Sequence, residues 1–442
     1  MNKAKKKKSA PRWLQLTAAI FGNALEWYDF GVFAAMAFII AKVFFPEAGE
    51  HTALLLTLAT FGVGFVTRPI GGIAIGMYAD RKGRKAALQL IIALMTVSLL
   101  IMVFTPSYAT IGVAAPILIV LARLMQGIAT GGEFASSTAY LVEAAPRNKK
   151  GLYGAWQMFG QNLANLGGAA TGFLLTSVFT EQQLLDGMWR IPFVVGLLIA
   201  PLGWWIRRYL DEPEESAASL RKGETVSLAA MLGRYPRSIA ATLCLTTCAT
   251  ASVYTFIIYL PTFVTRQFGF ALHDAFTAQA IGLLALIVII PISGAISDRH
   301  GRKPVMLSFL LPYAILMYPL FSWVQSTPTL PNLVVAFTVL SILLGGFLGP
   351  FATALGEQFP TNVRSAGLAV CYNIAVMIFG GFAQFIVTWL IQATGISLAP
   401  VFYSLAGGAL GVLGCLLIRP ADDARQVAQE LPARMAQRRS VA

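Results

Sequence analysis

With 57% of its 442 residues hydrophobic and only 12% charged, the chain has too few charged side chains to cover a water-facing surface of its size. The net charge of +13 would suit a nucleic-acid partner if it formed a patch, but the basic residues lie in short loops between apolar stretches, which excludes that class. The sequence is that of a protein dissolved in lipid.

A helix crosses a bilayer core of about 30 Å with about 20 apolar residues. By that ruler the spans are 14–43, 52–78, 86–105, 115–143, 152–178, 190–207, 238–265, 275–297, 304–325, 332–356, 363–391 and 398–419. Before them lies a basic N-terminus, 1–13, whose Lys3 to Lys8 run resembles a signal-peptide start. Glu26 and Asp29 in the following segment argue that it stays as span 1. In that span Asn23, Glu26 and Asp29 recur every three residues on one face. Span 2 carries Arg68, beside Pro69 and Gly71-Gly72, and ends in the cassette Gly76-Met77-Tyr78-Ala79-Asp80-Arg81-Lys82-Gly83-Arg84-Lys85. Span 4 carries Arg123 and, about 15 Å further along the helix, Glu133.

Span 5 places Gln157, Gln161 and Asn165 on one face at four-residue spacing, with Trp156 and Asn162 adjacent. Amides there suit carboxylate or hydroxyl oxygens, or hydrogen bonds between helices. After span 6 the polar stretch 208–237 joins the six spans of 14–207 to those of 238–419, and a tail follows at 420–442. Span 7 offers Tyr254 and Tyr259, and span 11 offers Tyr372, Asn373 and Gln384. Between spans 8 and 9 the cassette returns as Gly294-Ala295-Ile296-Ser297-Asp298-Arg299-His300-Gly301-Arg302-Lys303. A second internal match, Glu143-Ala144-Ala145-Pro146 against Glu357-Gln358-Phe359-Pro360, has nearly the same offset. The fold expected is therefore all-α and polytopic, twelve transmembrane helices in two pseudo-symmetric six-helix bundles.

All but five of the 33 Lys and Arg residues fall on one side of these spans: Lys42, Arg190 and Arg266 lie on the other, and Arg68 and Arg123 lie inside. The positive-inside rule then places both termini and both cassettes in the cytoplasm. Cys244, Cys248, Cys371 and Cys415 sit in spans with no histidine nearby, so neither a disulfide framework nor a metal site is expected. No nucleophile, phosphate or metal motif of an enzyme appears.

Five ionisable side chains lie deep in spans, all in the first half, and each needs a partner or a wet cavity. Depth pairs Asp29 or Glu26 with Arg123 and Glu133 with Arg68. Protonating the carboxylate of such a pair would release its Arg to a substrate, since burial and a neighbouring cation act on a carboxylate in opposite senses. Purely structural pairing is the other reading. In the cassettes, Gly76, Asp80, Arg81, Gly83 and Arg84, with Asp298, Arg299, Gly301 and Arg302, suit a cytoplasmic gate: the aspartates cap the following helix or pair with basic groups, and the glycines allow the turn.

The doubled cassette resembles the signature of the major facilitator superfamily. More narrowly, Asn23-x-x-Glu26-Trp27-Tyr28-Asp29-Phe30, Phe44-Phe45-Pro46, Arg68-Pro69-Ile70-Gly71-Gly72, Gln126-Gly127 followed by Gly131-Gly132-Glu133, and Trp189-Arg190-Ile191-Pro192-Phe193 resemble the metabolite:proton symporter family. The resemblance implies a bacterial inner-membrane symporter, for citrate, tricarballylate, 2-oxoglutarate, shikimate, or osmolytes such as proline and betaine. It implies a proton as coupling ion, with sodium still open, no cofactor, and a monomer as the working unit. A di- or tricarboxylate is the substrate expected, with Asn23, Arg68, Arg123, Gln157, Gln161, Asn165, Tyr254, Tyr372 and Asn373 around it, and Glu26, Asp29, Arg123 and Glu133 in proton coupling. Osmolyte uptake is the alternative. Drug export is disfavoured because span 5 has no proline.

Overall fold

The computed structural model describes residues 24, 27–82, 84–146, 148–197, 233–359 and 364–418, and among them the chain is helical with no strand. Each expected span contains a helix. They are α1 (Trp27–Ala35 and Ala37–Phe44), α2 (Glu50–Val66 and Arg68–Lys82), α3 (Arg84–Phe104), α4 (Ala114–Thr130 and Glu133–Ala144), α5 (Lys150–Val178) and α6 (Met188–Leu197). The second half holds α7 (Pro236–Ser252, Val253–Ile258 and Leu260–Phe268), α8 (Leu272–His300), α9 (Arg302–Ser326), α10 (Leu330–Glu357), α11 (Arg364–Ala375, Val376–Gly381 and Ala383–Thr394) and α12 (Ala399–Leu417).

Among the described residues, eight helices are long and apolar enough to cross a membrane, and nine if the bent α1 pair is one span. α5 is long enough but not apolar enough, because it carries the row Gln157, Gln161, Asn162 and Asn165, all buried. A helix with its polar groups turned to the protein interior need not look hydrophobic as a whole.

The spans are not uniform rods. α1 bends by 68° at Met36 where a continuous helix was expected. α7 and α11 each contain a π-helical stretch, Val253–Ile258 and Val376–Gly381, and these pack together where Gly380 faces Tyr254 and Thr250. Such widened turns leave backbone groups without their regular partners and concentrate at functional sites.

Small residues set the crossing of α2 and α4. A Cβ at Gly127 would collide with the Gly64 carbonyl, one at Gly131 with the Arg68 carbonyl, and one at Gly71 with the Ile128 backbone. Backbones that close pack by direct contact, as small residues allow in membranes. Thr67 Oγ1 also donates to the Leu124 carbonyl at 2.8 Å. This crossing fixes Arg68 and Arg123 relative to each other.

The Trp189-Arg190 motif has a structural task. Trp189 is buried edge-on against Phe44 and beside Phe193. The Arg190 guanidinium donates from Nε to the Val103 carbonyl at 3.0 Å and from Nη2 to the Thr105 carbonyl at 2.8 Å, closing the end of α3. Arg190→Ala is expected to cost about 1–3 kcal/mol of stability through the loss of two charge-assisted bonds. Lysine, which lacks the fork, should recover only part. Thermal unfolding in detergent reads this, and a wild-type midpoint for Arg190→Ala would refute it.

Candidate functional site

α1 and α4 bring a carboxylate and a guanidinium together inside the first half. Arg123 Nη1 lies 3.0 Å from Asp29 Oδ2, and the side chains are 0% and 2% exposed. The same Nη1 donates to Gln126 Oε1 at 2.7 Å, one turn along α4. The guanidinium lies 3.8 Å from the centre of the Phe33 ring and 5.7 Å from that of Phe30. Asp29 Oδ1 and Arg123 Nε and Nη2 have no hydrogen-bond partner among the described atoms. The pair thus keeps one carboxylate oxygen open to a proton and two guanidinium nitrogens open to an acceptor. Breaking a buried pair on one side only is costly, so it changes state as a unit or through a replacement partner.

Arg68 begins the second segment of α2 and is 2% exposed. Its guanidinium packs over the rings of Phe65, Phe30 and Trp27, with centroid distances of 4.0, 4.9 and 5.0 Å. Phe30 therefore lies against both arginines. Phe65 in turn meets the ring of Tyr254 in the second half edge-on, at 5.5 Å between centroids. A line of groups therefore runs from Asp29 through Arg123, Phe30, Arg68 and Phe65 to Tyr254, which shares a cavity lining with Tyr372.

The tyrosines open onto a small cavity between the halves. It is lined by Gln161 and Asn162 of α5, Thr250 and Tyr254 of α7, Phe351 of α10 and Tyr372 of α11, among others. Gln161 Oε1 and Tyr254 Oη have no partner among the described atoms, whereas the Tyr372 ring stacks on Phe134 of α4 at 3.6 Å. One turn along α5, a second small cavity is lined by Gly31, Asn165, Ile257 and Gln279 and their neighbours. Buried polar atoms in proteins are nearly always satisfied, so the unpartnered atoms on these walls are available to a ligand or to water.

Both ends of this region are closed. At the cassette end, Asp298 Oδ1 and Oδ2 accept from the backbone N–H groups of Gly151 and Leu152, at 2.7 and 3.0 Å, and so cap α5 of the opposite half. Arg302 bridges Asp298 at 2.9 Å and Glu357 at 3.3 Å, and Gly301 makes the turn at φ +86°. Thr353 Oγ1 donates to the Lys150 carbonyl beside them. Of the two expectations for Asp298, pairing with a basic group is met by Arg302, while capping of the helix that follows its own cassette is corrected: the N-terminus it holds is that of α5. At the far end Arg266 pairs with Glu50 at 2.9 Å, and His273 meets Ser177 and Phe173.

The structure brings Asp29 and Arg123 into contact and places Gln161, Asn165, Tyr254 and Tyr372 around the two cavities. Gln157 accepts from Ser137 at 2.7 Å. Asn373 lines neither cavity and donates across the halves to the Gly131 carbonyl at 2.6 Å. Tyr259 is bonded to Thr388, and Glu133 lies half-buried in the first turn of the second α4 segment. Arg299 is exposed in the last turn of α8. Asn23, Glu26 and Gly83 lie outside the described residues, as do the side chains of Asp80, Arg81 and Arg84; the backbone of the first cassette from Gly76 is helical to Lys82. Sequence reasoning missed Gln279 and Thr353, which have no motif and no repeat partner to mark them.

Residues 14–214 match the family described as "Sugar (and other) transporter" and residues 242–441 match "Major Facilitator Superfamily". The chain superposes on the proton:xylose symporter XylE with a TM-score of 0.76 over 91% of its length and 94% of that chain, at 19% identity, which shows a shared fold. Among curated proteins it is 30% identical to a proline/betaine transporter of Escherichia coli K12 over 90% of this chain and 81% of that one. It is 34% identical to a citrate-proton symporter of Klebsiella pneumoniae over 92% of both chains. Likeness of that order along nearly the whole length of both chains shows common descent, and the chain belongs to the metabolite:proton symporter family of the major facilitator superfamily, a family of membrane transporters and not of enzymes.

Proposed function

We propose that the chain couples proton influx to the uptake of a small organic acid, a di- or tricarboxylate such as citrate, by alternating access of the cavity between its halves. The observation that carries this reading is the buried Asp29–Arg123 pair, with Arg68 packed on the same phenylalanine. A proton on Asp29 removes the charge that Arg123 neutralises, and the guanidinium is then free to attract a substrate carboxylate. Arg68 supplies a second cation, and Gln161, Tyr254 and Tyr372 supply donors for further oxygens. Loss of the proton on the far side of the cycle restores the pair and repels the acid, which ties the two fluxes together. The 34% identity to a citrate-proton symporter supports the substrate class.

In this reading the cassettes and both termini face the cytoplasm of a bacterial inner membrane, as the basic loops argue. The working unit in this reading is a monomer, and the coupling ion is the proton. A second reading has one specific observation behind it. The cavity also presents the rings of Tyr254, Phe351 and Tyr372, which suit an organic ammonium group, so betaine or proline would bind with the carboxylate toward Arg68. A proline/betaine transporter at 30% identity is consistent with that.

Uptake of radiolabelled citrate into proteoliposomes under an inward proton gradient separates the two. Gradient-driven uptake displaced by 2-oxoglutarate or tricarballylate is the expected result. Displacement by proline and betaine alone would establish the second reading, and uptake indifferent to the gradient would remove proton coupling altogether.

A further inference from the structure

α7 is broken between its π-helical stretch and its outer arm, and the break has a covalent cause. The carbonyl of Ile257 would accept from the backbone N–H four residues on, but that residue is Pro261, which has none. Inside a membrane protein such a carbonyl must find another donor. It finds Nε2 of Gln279, which reaches it from α8. Gln279 is 6% exposed, it lines the second cavity with Asn165, and its own Oε1 has no partner among the described atoms.

The position of this bond in the helix is what matters. On one side of it lies Tyr254, whose carbonyl accepts from the Tyr259 N–H at 3.1 Å and whose side chain lines the first cavity. On the other side lies the arm Leu260–Phe268, whose Arg266 pairs with Glu50 to close the far end. One side chain from the neighbouring helix α8 therefore holds the joint between a cavity-lining tyrosine and a closing ion pair.

We propose that Gln279 is a positioning residue for transport: by supplying the hydrogen bond that Pro261 denies to Ile257, it holds the α7 joint so that Tyr254 faces the substrate and the outer arm closes. The proposal rests on the cavity between the halves being the substrate site. It makes no claim about which acid or osmolyte is carried.

The chemistry supplies its own rescue. Gln279→Met keeps length and removes the donor, while Pro261→Ala returns a backbone N–H to the place where Ile257 lacks one. Two readouts are taken on full-length protein: hydrogen–deuterium exchange of the α7 peptide spanning residues 253–268, which needs no substrate, and KM against maximal rate for labelled citrate in proteoliposomes. Gln279→Met is expected to speed exchange in that peptide and raise KM roughly five- to tenfold, the size of one buried hydrogen bond. Adding Pro261→Ala should recover at least half of both effects. If Gln279→Met does not accumulate in the membrane, the double variant should accumulate where the single one fails, which is the same rescue read by yield. Exchange and KM unchanged in Gln279→Met, or losses that Pro261→Ala leaves untouched, would overturn the proposal. If wild-type protein takes up no citrate, the organic-acid reading falls, whereas the exchange arm still decides the role of Gln279.

Discussion

Arg123→Ala is expected to reduce gradient-driven uptake to background, a loss of at least about a hundredfold, and to lower the amount of folded protein in the membrane. The second effect follows from burial: the substitution leaves Asp29 charged and unpaired at 2% exposure, at a cost of about 3–5 kcal/mol. Because instability alone would mimic loss of transport, the informative companion is Asp29→Asn. Asparagine keeps an acceptor oxygen for Arg123 Nη1 and cannot take up a proton. Exchange of labelled for unlabelled substrate, which requires no net proton movement, should survive in Asp29→Asn, while accumulation against a gradient should vanish. Accumulation at wild-type levels in Asp29→Asn would show that the proton is carried elsewhere and that the pair is only structural. The double variant with Arg123→Ala should recover membrane yield relative to Arg123→Ala alone without recovering accumulation, since it removes the stranded charge but also the cation.

The twelve spans and the pairing of Asp29 with Arg123 were legible in the sequence for one shared reason. Hydrocarbon is an unforgiving solvent, so apolar length marks a helix and an ionisable residue within it must find a partner among very few candidates. Depth left Asp29 and Glu26 of α1 as candidates for Arg123 of α4, and the structure pairs it with Asp29. The amide row on α5 was legible for another reason: four-residue spacing puts Gln157, Gln161 and Asn165 on one stripe whatever the rest of the fold does. Local breaks were not legible in the same way. The 68° bend at Met36 carries no proline, and the π-helical stretch of α11 is marked only by the Gly380-Gly381 pair at its end.

Contacts between the halves were the least legible, because a side chain acquires its task from a helix far away in sequence. Asn373 sits where a ligand-binding amide is plausible by position, yet its donor goes to Gly131, whose carbonyl is freed by the break in α4. Gln279 is one glutamine in an apolar helix, and only the presence of Pro261 in another helix gives it a partner. The aspartate of the second cassette was read as a cap for the following helix or a partner for basic groups; it pairs with Arg302, and the helix it caps is α5 of the other half. Sequence names the donor or acceptor, while topology decides which orphaned group it meets.

Asp298→Ala is the other substitution expected to act strongly, and it acts on the equilibrium between conformations. In the closed structure this one carboxylate holds the N–H groups of Gly151 and Leu152 in the first turn of α5 and the Arg302 guanidinium together. A charged cap at a helix N-terminus contributes about 1–2 kcal/mol, so its loss should raise the ratio of open to closed conformers at the cassette end about tenfold. Thr353, buried against Lys150 beneath that contact, is the reporter. With Cys244, Cys248, Cys371 and Cys415 replaced by alanine, Thr353→Cys should react slowly with a membrane-impermeant maleimide. Adding Asp298→Ala should speed the reaction about tenfold, and only in inverted vesicles, where the cytoplasmic face is outside. Uptake should fall in the same variant, because the cycle has to pass through the conformer in which this end is shut. Asp298→Asn, which keeps one acceptor for an α5 N–H, should lie between the two. Unchanged labelling in Asp298→Ala would mean that Arg302, Glu357 and the glycine contacts close this end without it, and faster labelling in right-side-out vesicles instead would place the cassettes on the opposite face of the membrane.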